Sequence, residues 1–271
     1  MKHYTDLVSK ILQTGERRED RTGTGVLSIF GGQLRLDLRE RFPLVTVKET
    51  RWRTAFLEML WFLRGESNTE FLHANGSKLW DAWADKDGHL GPIYGSQWRR
   101  WDGVTAEGKQ VWIDQIRRLI ANIKANPMGR RHIVSAWNVA QLDDMALPPC
   151  HWAFQCYASN DGHLDMQVHQ RSWDIALGAP FNIAQYALLF TLLARATGRV
   201  PRRLMFAFGD AHIYLNHVDA MRDMVARQRY DNEPTRLAIN TENTDIDGYS
   251  IDDFQIVDYK HQPHIKLPIA V

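Results

Sequence analysis

Residues 181–197, from Phe181 to Ala196, are apolar all round when wound as a helix. Such a helix has no face to give to water, so it is either buried or in a membrane. Asn182 and Gln185 interrupt this stretch, leaving its unbroken apolar runs well short of the roughly 20 residues that a span needs. The segment therefore reads as the buried centre of a globular fold. Covering it takes a long chain, and 271 residues suffice: a fold of that size hides about three quarters of its unfolded surface and needs no disulfide or metal staple. With 44 % apolar and 24 % charged residues, neither disorder nor low complexity dominates.

Around this centre the periodicities alternate. Leu7, Val8, Ile11 and Leu12 share one face of a helix over 4–14 that Gly15 stops. Trp52, Phe56, Met59, Leu60 and Leu63 give a broad apolar face to a helix over 52–64, and Ile113, Ile116, Ile120 and Ile123 a cleaner one over 113–125. A strand is predicted over 26–38, where Leu34, Leu36 and Leu38 alternate with polar residues and Gly31-Gly32 points to a bulge. Strands over 132–137 and 151–158 follow. A hairpin turn at Asn160-Asp161-Gly162 leads into the alternation of Leu164, Met166 and Val168. A strand over 204–208, a helix over 213–227 and a strand over 236–240 complete the pattern, while 95–112 reads as a long surface loop. No linker or repeat divides the chain. The expectation is one α+β domain over 1–271, a mixed or antiparallel sheet with helices packed on it.

Lys and Arg number 33 against 32 Asp and Glu, a net charge of +1. Extended nucleic-acid binding would need a basic excess. Any anion site must instead be a local cluster of Arg. Three loop-like places offer one: Arg21 in Arg21-Thr22-Gly23-Thr24-Gly25, the pair Arg130 and Arg131, and Arg171 followed by Ser172. Together they suit one phosphate monoester, and the glycines at 23 and 25 would let backbone N–H groups cradle it. The N-terminus has no secretory apolar region, so the expected location is cytoplasmic.

Two cysteines remain. On a strand Cys150 and Cys156 would lie roughly 20 Å apart, beyond the ~7 Å that a bridge allows, and both read as reduced thiols. Cys156 reads as core. A lone Cys150 is either a small buried hydrophobe or a nucleophile whose thiolate is favoured by nearby cations, with Arg21, Arg130, Arg131 and Arg171 the candidates. His151, next along a strand, would point to the opposite face, which argues against a Cys/His protease. Glu58, inside an apolar helix, either edges into solvent or enters a cavity, where desolvation would raise its pKa and fit it for proton transfer. Trp80, Asp81 and Trp83 either pack or stack a flat ligand. His212 and Tyr214 could hold one sugar hydroxyl. Asn182 has the paired donor and acceptor that read a base edge.

Eight motifs occur in order: Arg21-Thr-Gly-Thr-Gly25, Gly91-Pro-Ile-Tyr-Gly95, Arg130-Arg131, Ser135-Ala-Trp-Asn138, Pro149-Cys-His151, Gln170-Arg-Ser172, Leu177-Gly-Ala-Pro-Phe-Asn182 and Gly209-Asp-Ala-His-Ile-Tyr214. Nearly end to end, the chain resembles the folate-dependent, cysteine-nucleophile thymidylate synthases, a family with related pyrimidine-nucleotide hydroxymethylases. The resemblance implies that Cys150 adds to C6 of dUMP and that C5 then attacks the one-carbon unit of 5,10-methylenetetrahydrofolate. Hydride from the folate finishes dTMP. It implies proton-transfer roles for Glu58, Tyr94 and His151, and phosphate contacts from Arg21, Arg171 and Ser172. Arg130 and Arg131 would come from the other subunit of a homodimer formed through the sheet. Asn182 would read the uracil, and His212 and Tyr214 would hold the deoxyribose. Lys48, Trp80, Asp174, Gly178 and Val271 would serve the folate; no metal, membrane or nucleic acid is implied.

Several residues depart from the family pattern: Glu49, Arg51, Trp152, Trp173 and Gln185. The last three crowd the base pocket and its supports. Quenching of the same intermediate by water, which would make a dUMP hydroxymethylase, is the alternative activity. An RNA- or partner-binding protein with a degenerate site is the alternative of another kind.

Overall fold

The computed structural model describes residues 1–230 and 234–269. In chain order the strands are β1 (Glu16–Arg18), β2 (Val26–Asp37), β3 (Trp101–Val104), β4 (Gln110–Ile113), β5 (Ile133–Ser135), β6 (His151–Ala158), β7 (His163–Asp174), β8 (Val200–Tyr214), β9 (Arg236–Ile239) and β10 (Phe254–Val257). The helices are α1 (Lys2–Thr14), α2 (Trp52–Leu63), α3 (Glu70–Ala74), α4 (Tyr94–Arg99), α5 (Gln115–Ala125), α6 (Gly178–Ala196) and α7 (Val218–Ala226). Six strands make one sheet in the order β1-β2-β8-β7-β6-β5. Only the β7–β8 pair within it is parallel. The fold is the expected α+β arrangement with a mixed sheet.

The parallel pair exists because α6 is its crossover. This helix is the apolar segment of the sequence, buried on nearly every side. It packs on β7 and β8 with one face and on α2 with another, and α2 is itself buried from Ala55 to Leu63. The helix–helix seam is thus closed to water along its length. Anything polar on it must find its partner there, since an unpaired buried donor or acceptor costs ~1–3 kcal/mol. The Tyr4 hydroxyl donates to the Ile175 carbonyl at 2.8 Å, fixing α1 against the turn that leads into α6.

Several elements differ from expectation. The supposed loop over 95–112 contains α4 and the β3–β4 hairpin. Arg100 lies over the Trp112 ring, 4.3 Å from its centroid, and supports that hairpin. Ile113 ends β4 instead of opening α5, because Asp114 caps the helix by accepting from the Arg117 N–H at 2.8 Å. β8 runs on to Tyr214, so His212 and Tyr214 lie on a strand and α7 begins only at Val218. β2 keeps one register along β8, yet the strand is irregular at Gly31-Gly32 as expected: the residues packed on the core change from Leu34 and Leu36 to Leu27 and Ile29 across it. Gly31 has φ +81°, and a Cβ on Gly32 would stand 2.4 Å from the Phe208 ring. Register shifts also occur between His151 and Ala153, where Trp152 is the extra residue beside β7, and between Leu164 and Met166 beside β8. Both cysteines are free thiols, as expected, and Cys156 is buried.

Candidate active site

Cys150 directly precedes β6, where the bulge bends the strand's start. Its N–H donates to the Tyr94 hydroxyl at 2.8 Å, and its carbonyl accepts from the Arg171 N–H at 2.9 Å. The Arg171 side chain folds back on the same turn: Nε donates to the Pro149 carbonyl at 2.9 Å and Nη2 to that of Pro148 at 2.7 Å. Its Nη2 stands 3.9 Å from the Cys150 Sγ, and the guanidinium lies over the Trp137 ring. The two prolines therefore present carbonyls that aim the cation at the thiol. Burial pushes the Cys150 thiol up, while Arg171 and Arg21 oppose that shift and Asp174 adds to it. Of the four candidate cations, these two act on Cys150. The net shift is upward, against the expected lowering, because within one chain the desolvation outweighs both arginines. Arg130 and Arg131 are exposed between α5 and β5. Arg131 lines a cavity of about 500 Å³ with Arg118 and His132, and Cys150 is not among its walls.

Two aromatic groups back the thiol. The His151 ring stacks on Tyr94 at 4.1 Å, and its Nδ1 meets the Tyr186 hydroxyl at 2.7 Å. Burial drives the His151 pKa down to about 3, leaving the imidazole neutral. Burial also raises the Tyr94 phenol well above its ordinary value, with the charges of Cys150 and Glu58 adding to the rise.

Glu58 enters the closed seam and does not edge into solvent. The Trp80 indole N–H donates to its Oε1 at 2.6 Å, and the Gln185 amide donates to its Oε2. Burial raises its pKa to about 7, although both bonds favour the anion. Trp80 is buried, so its polar edge serves Glu58. Gln185 in turn reaches Asn182, whose Nδ2 donates to the Gln185 Oε1 at 3.1 Å. The Asn182 Oδ1 accepts from the Trp173 indole at 3.0 Å and from the Gln170 amide at 3.3 Å.

The loop of Arg21 is ordered by a residue that the sequence reading passed over. Asp20 accepts from the Thr22 N–H at 3.0 Å, the Thr22 hydroxyl at 2.6 Å and the Gly25 N–H at 2.7 Å. Gly23 N–H goes to the Asp20 carbonyl, and Thr24 N–H to the Thr22 hydroxyl. These bonds occupy the backbone donors expected to cradle a phosphate, leaving the exposed Arg21 side chain as the loop's offering. Gly23 and Gly25 supply the positive φ that the tight turn needs.

On β8, residues 210, 212 and 214 share a face. Asp210 accepts at 2.9 Å from both Arg18 and the His212 Nδ1. It thereby holds His212 with Nε2 outward. Tyr214 sets its ring edge to His212 at 5.3 Å, and Arg21, Cys150 and Asp174 all act on its hydroxyl. The thiol, two arginines and the β8 pair thus converge. Ser172 lies beside Asp210 across the β7–β8 ladder.

Among the folate candidates, Asp174 accepts the Ala176 and Leu177 N–H groups at 2.9 and 3.1 Å and so turns the chain into α6, which starts at Gly178. Lys48 is buried with its ammonium on the Ala176 carbonyl, and burial lowers its pKa to about 8. It faces inward, not toward an open tail site. Arg51 is exposed at the start of α2. Val271 lies outside the described residues.

Sequence reasoning missed Asp20, Asp210 and Tyr186 as partners. Asp210 alone left a signal, standing two residues before His212. Among the described residues no group of three or more His, Cys, Asp or Glu side chains could hold a metal ion, and no helix is long and apolar enough to cross a membrane.

A thiol beside a guanidinium and a buried carboxylate of near-neutral pKa on α2 are groups that a group-transfer enzyme can use. A family model described as thymidylate synthase matches residues 2–271, and the chain belongs to that family. Its members bind dUMP and folate, use methylenetetrahydrofolate and transfer a one-carbon unit.

Proposed function

We propose that the protein is the synthase proper, converting dUMP to dTMP. The buried Trp80, set on Glu58, favours the synthase over the hydroxymethylase by keeping water from the intermediate, and Glu58 carries the chemistry common to both. Its pKa of about 7 lets a proton both leave and return near neutrality. Tyr94 stays a phenol and His151 a neutral imidazole at that pH. These two therefore position groups and relay hydrogen bonds, and Glu58 takes or gives the proton. The Cys150 sulfur forms the bond to C6, and its thiolate is drawn out by Arg171 at 3.9 Å and by phosphate-bound Arg21. Asn182 faces the base, while His212, oriented by Asp210, and Tyr214 take the ribose hydroxyl. Ser172 adds a phosphate contact. Methylenetetrahydrofolate supplies the carbon and then the hydride. Trp80, Asp174 and Gly178 would border it; none of the three would have to move for α6 to keep its start.

We further propose a homodimer through the outer face of the sheet, with Arg130 and Arg131 reaching the partner's phosphate site. That face carries Ile133, Gln155, Gln167, Met205 and Arg35 in one cross-strand row. Nearby Phe30 is 86 % exposed, an apolar side chain suited to a second copy. The deciding experiment incubates the protein with dUMP and methylenetetrahydrofolate and reads products by mass spectrometry. dTMP with equal dihydrofolate is expected. 5-Hydroxymethyl-dUMP with tetrahydrofolate would overturn the synthase in favour of the hydroxymethylase.

A further inference from the structure

Two tryptophans close a chain of hydrogen bonds that runs from the base-reading amide to the buried carboxylate. An indole N–H can only donate. Trp173 donates to the Asn182 Oδ1 at 3.0 Å, so the Asn182 Nδ2 must turn the other way, onto the Gln185 Oε1 at 3.1 Å. The Gln185 Nε2 is thereby committed to the Glu58 Oε2. At the far end the Trp80 indole donates to Oε1 of the same carboxylate at 2.6 Å. Donation runs in one sense from Trp173 to Glu58 and is met there by Trp80 from the other side, and neither amide can turn over without setting donor against donor. Trp173 is rigid enough to impose this. It is 1 % exposed and stacks on Phe206 with ring centroids 5.0 Å apart.

We propose that Trp173 and Gln185 are specificity-determining positioning residues that hold the Asn182 amide in the orientation for uracil and against cytosine, and so join base recognition to Glu58. This rests on the reading of Asn182 as the group that faces the pyrimidine. Uracil presents an N3–H donor and an O4 acceptor, which match Oδ1 and the second Nδ2 hydrogen. Cytosine presents an N3 acceptor and an N4 donor, which match only a turned amide. Turning it would press Nδ2 against the Trp173 N–H and Oδ1 against the Gln185 Oε1. One member of the cluster is free to yield when uracil arrives. Gln170 is the longest of the Asn182 bonds, at 3.3 Å, and its buried Oε1 has no partner. The N3–H can take its place on Oδ1 while Trp173 stays.

The test measures dUMP and dCMP binding by calorimetry to the full chain, to Trp173→Phe and to Trp173→Phe/Gln185→Ser. Phenylalanine keeps a ring on Phe206 and removes the donor; serine can accept or donate. The preference for dUMP over dCMP should fall about tenfold in the single variant and further in the double. Equal weakening of both nucleotides, with the ratio unchanged, would show Trp173 to be merely structural and overturn the proposal. A second measurement needs no nucleotide and no Trp173 variant to fold. The indole proton resonance of Trp173 should move upfield in Asn182→Ala, and an unmoved resonance overturns the lock. A wild-type chain that binds neither nucleotide would sink the proposed function, while this resonance would still decide whether the lock exists.

Discussion

Glu58→Gln tests the buried carboxylate through stability as well as turnover. The carboxyl ionises near 4.5 in an unfolded chain and at about 7 in the seam between α2 and α6. Between those values the unfolded state binds fewer protons than the native state, so stability falls as pH rises. At about 1.36 kcal/mol per unit, the loss is largely absent below pH 4.5 and complete above pH 7. From pH 5 to pH 8.5 it amounts to about 2.5 kcal/mol. Glutamine has no proton to lose. It does misplace an N–H against Trp80 or Gln185, but that penalty is the same at both pH values. The difference in unfolding free energy between variant and wild type should therefore shift by about 2.5 kcal/mol in favour of the variant between pH 5 and 8.5. Urea titrations at one protein concentration would measure it, which keeps any subunit association constant. A difference that does not change with pH would mean that Glu58 titrates in water-like surroundings, and the proton-transfer role argued from its burial would fall with it.

Cys150→Ser should abolish turnover while dUMP still binds, as measured by calorimetry; residual turnover would remove the sulfur from the bond-forming step. Arg130→Ala should weaken dUMP, and mixing it with Cys150→Ser should restore part of the activity through heterodimers with one intact site. Mixed dimers that form and stay silent would refute a shared phosphate site. Asp20→Ala frees the Thr22 and Gly25 N–H groups and loosens the Arg21 loop, so KM for the nucleotide should rise about tenfold, roughly 1.4 kcal/mol, with the base preference unchanged. A variant with unaltered KM would show that the loop needs no such ordering.

The apolar helix and the alternating strands were legible because burial on all sides and on one side leave different periodicities. The hairpin at 101–113 was not, since a ring under a guanidinium holds it and not a run of apolar residues. Asp114 hid the true start of α5, because Ile113 fits the helical spacing as well as it fits the end of β4. At the site, the sequence order of Cys150, Arg171, His212 and Tyr214 was plain, but proximity was not. Glu58 shows why: on a helix buried all round, periodicity does not tell which neighbour a polar side chain meets. Only the tertiary seam brings Gln185 to it, across 127 positions of sequence. The cradle read from the glycines of 21–25 failed for a local reason, as Asp20 satisfies the same N–H groups from within. Lys48 enters the folate set only through the resemblance, and its inward turn depends on the Ala176 carbonyl, which the turn before α6 supplies.

The order of strands in the sheet also bears on how the chain is made. β2 is complete at Asp37, yet its neighbour β8 ends at Tyr214. At about 5–20 residues per second of synthesis, β2 waits roughly 10–35 s with that edge open. The strand carries Leu34 and Leu36, which are buried in the folded protein, and its edge toward β8 stays unpaired through most of synthesis. The middle of the sheet closes late, and a chaperone that shields β2 during that interval would guard the step at which newly made chains are most prone to pair with one another.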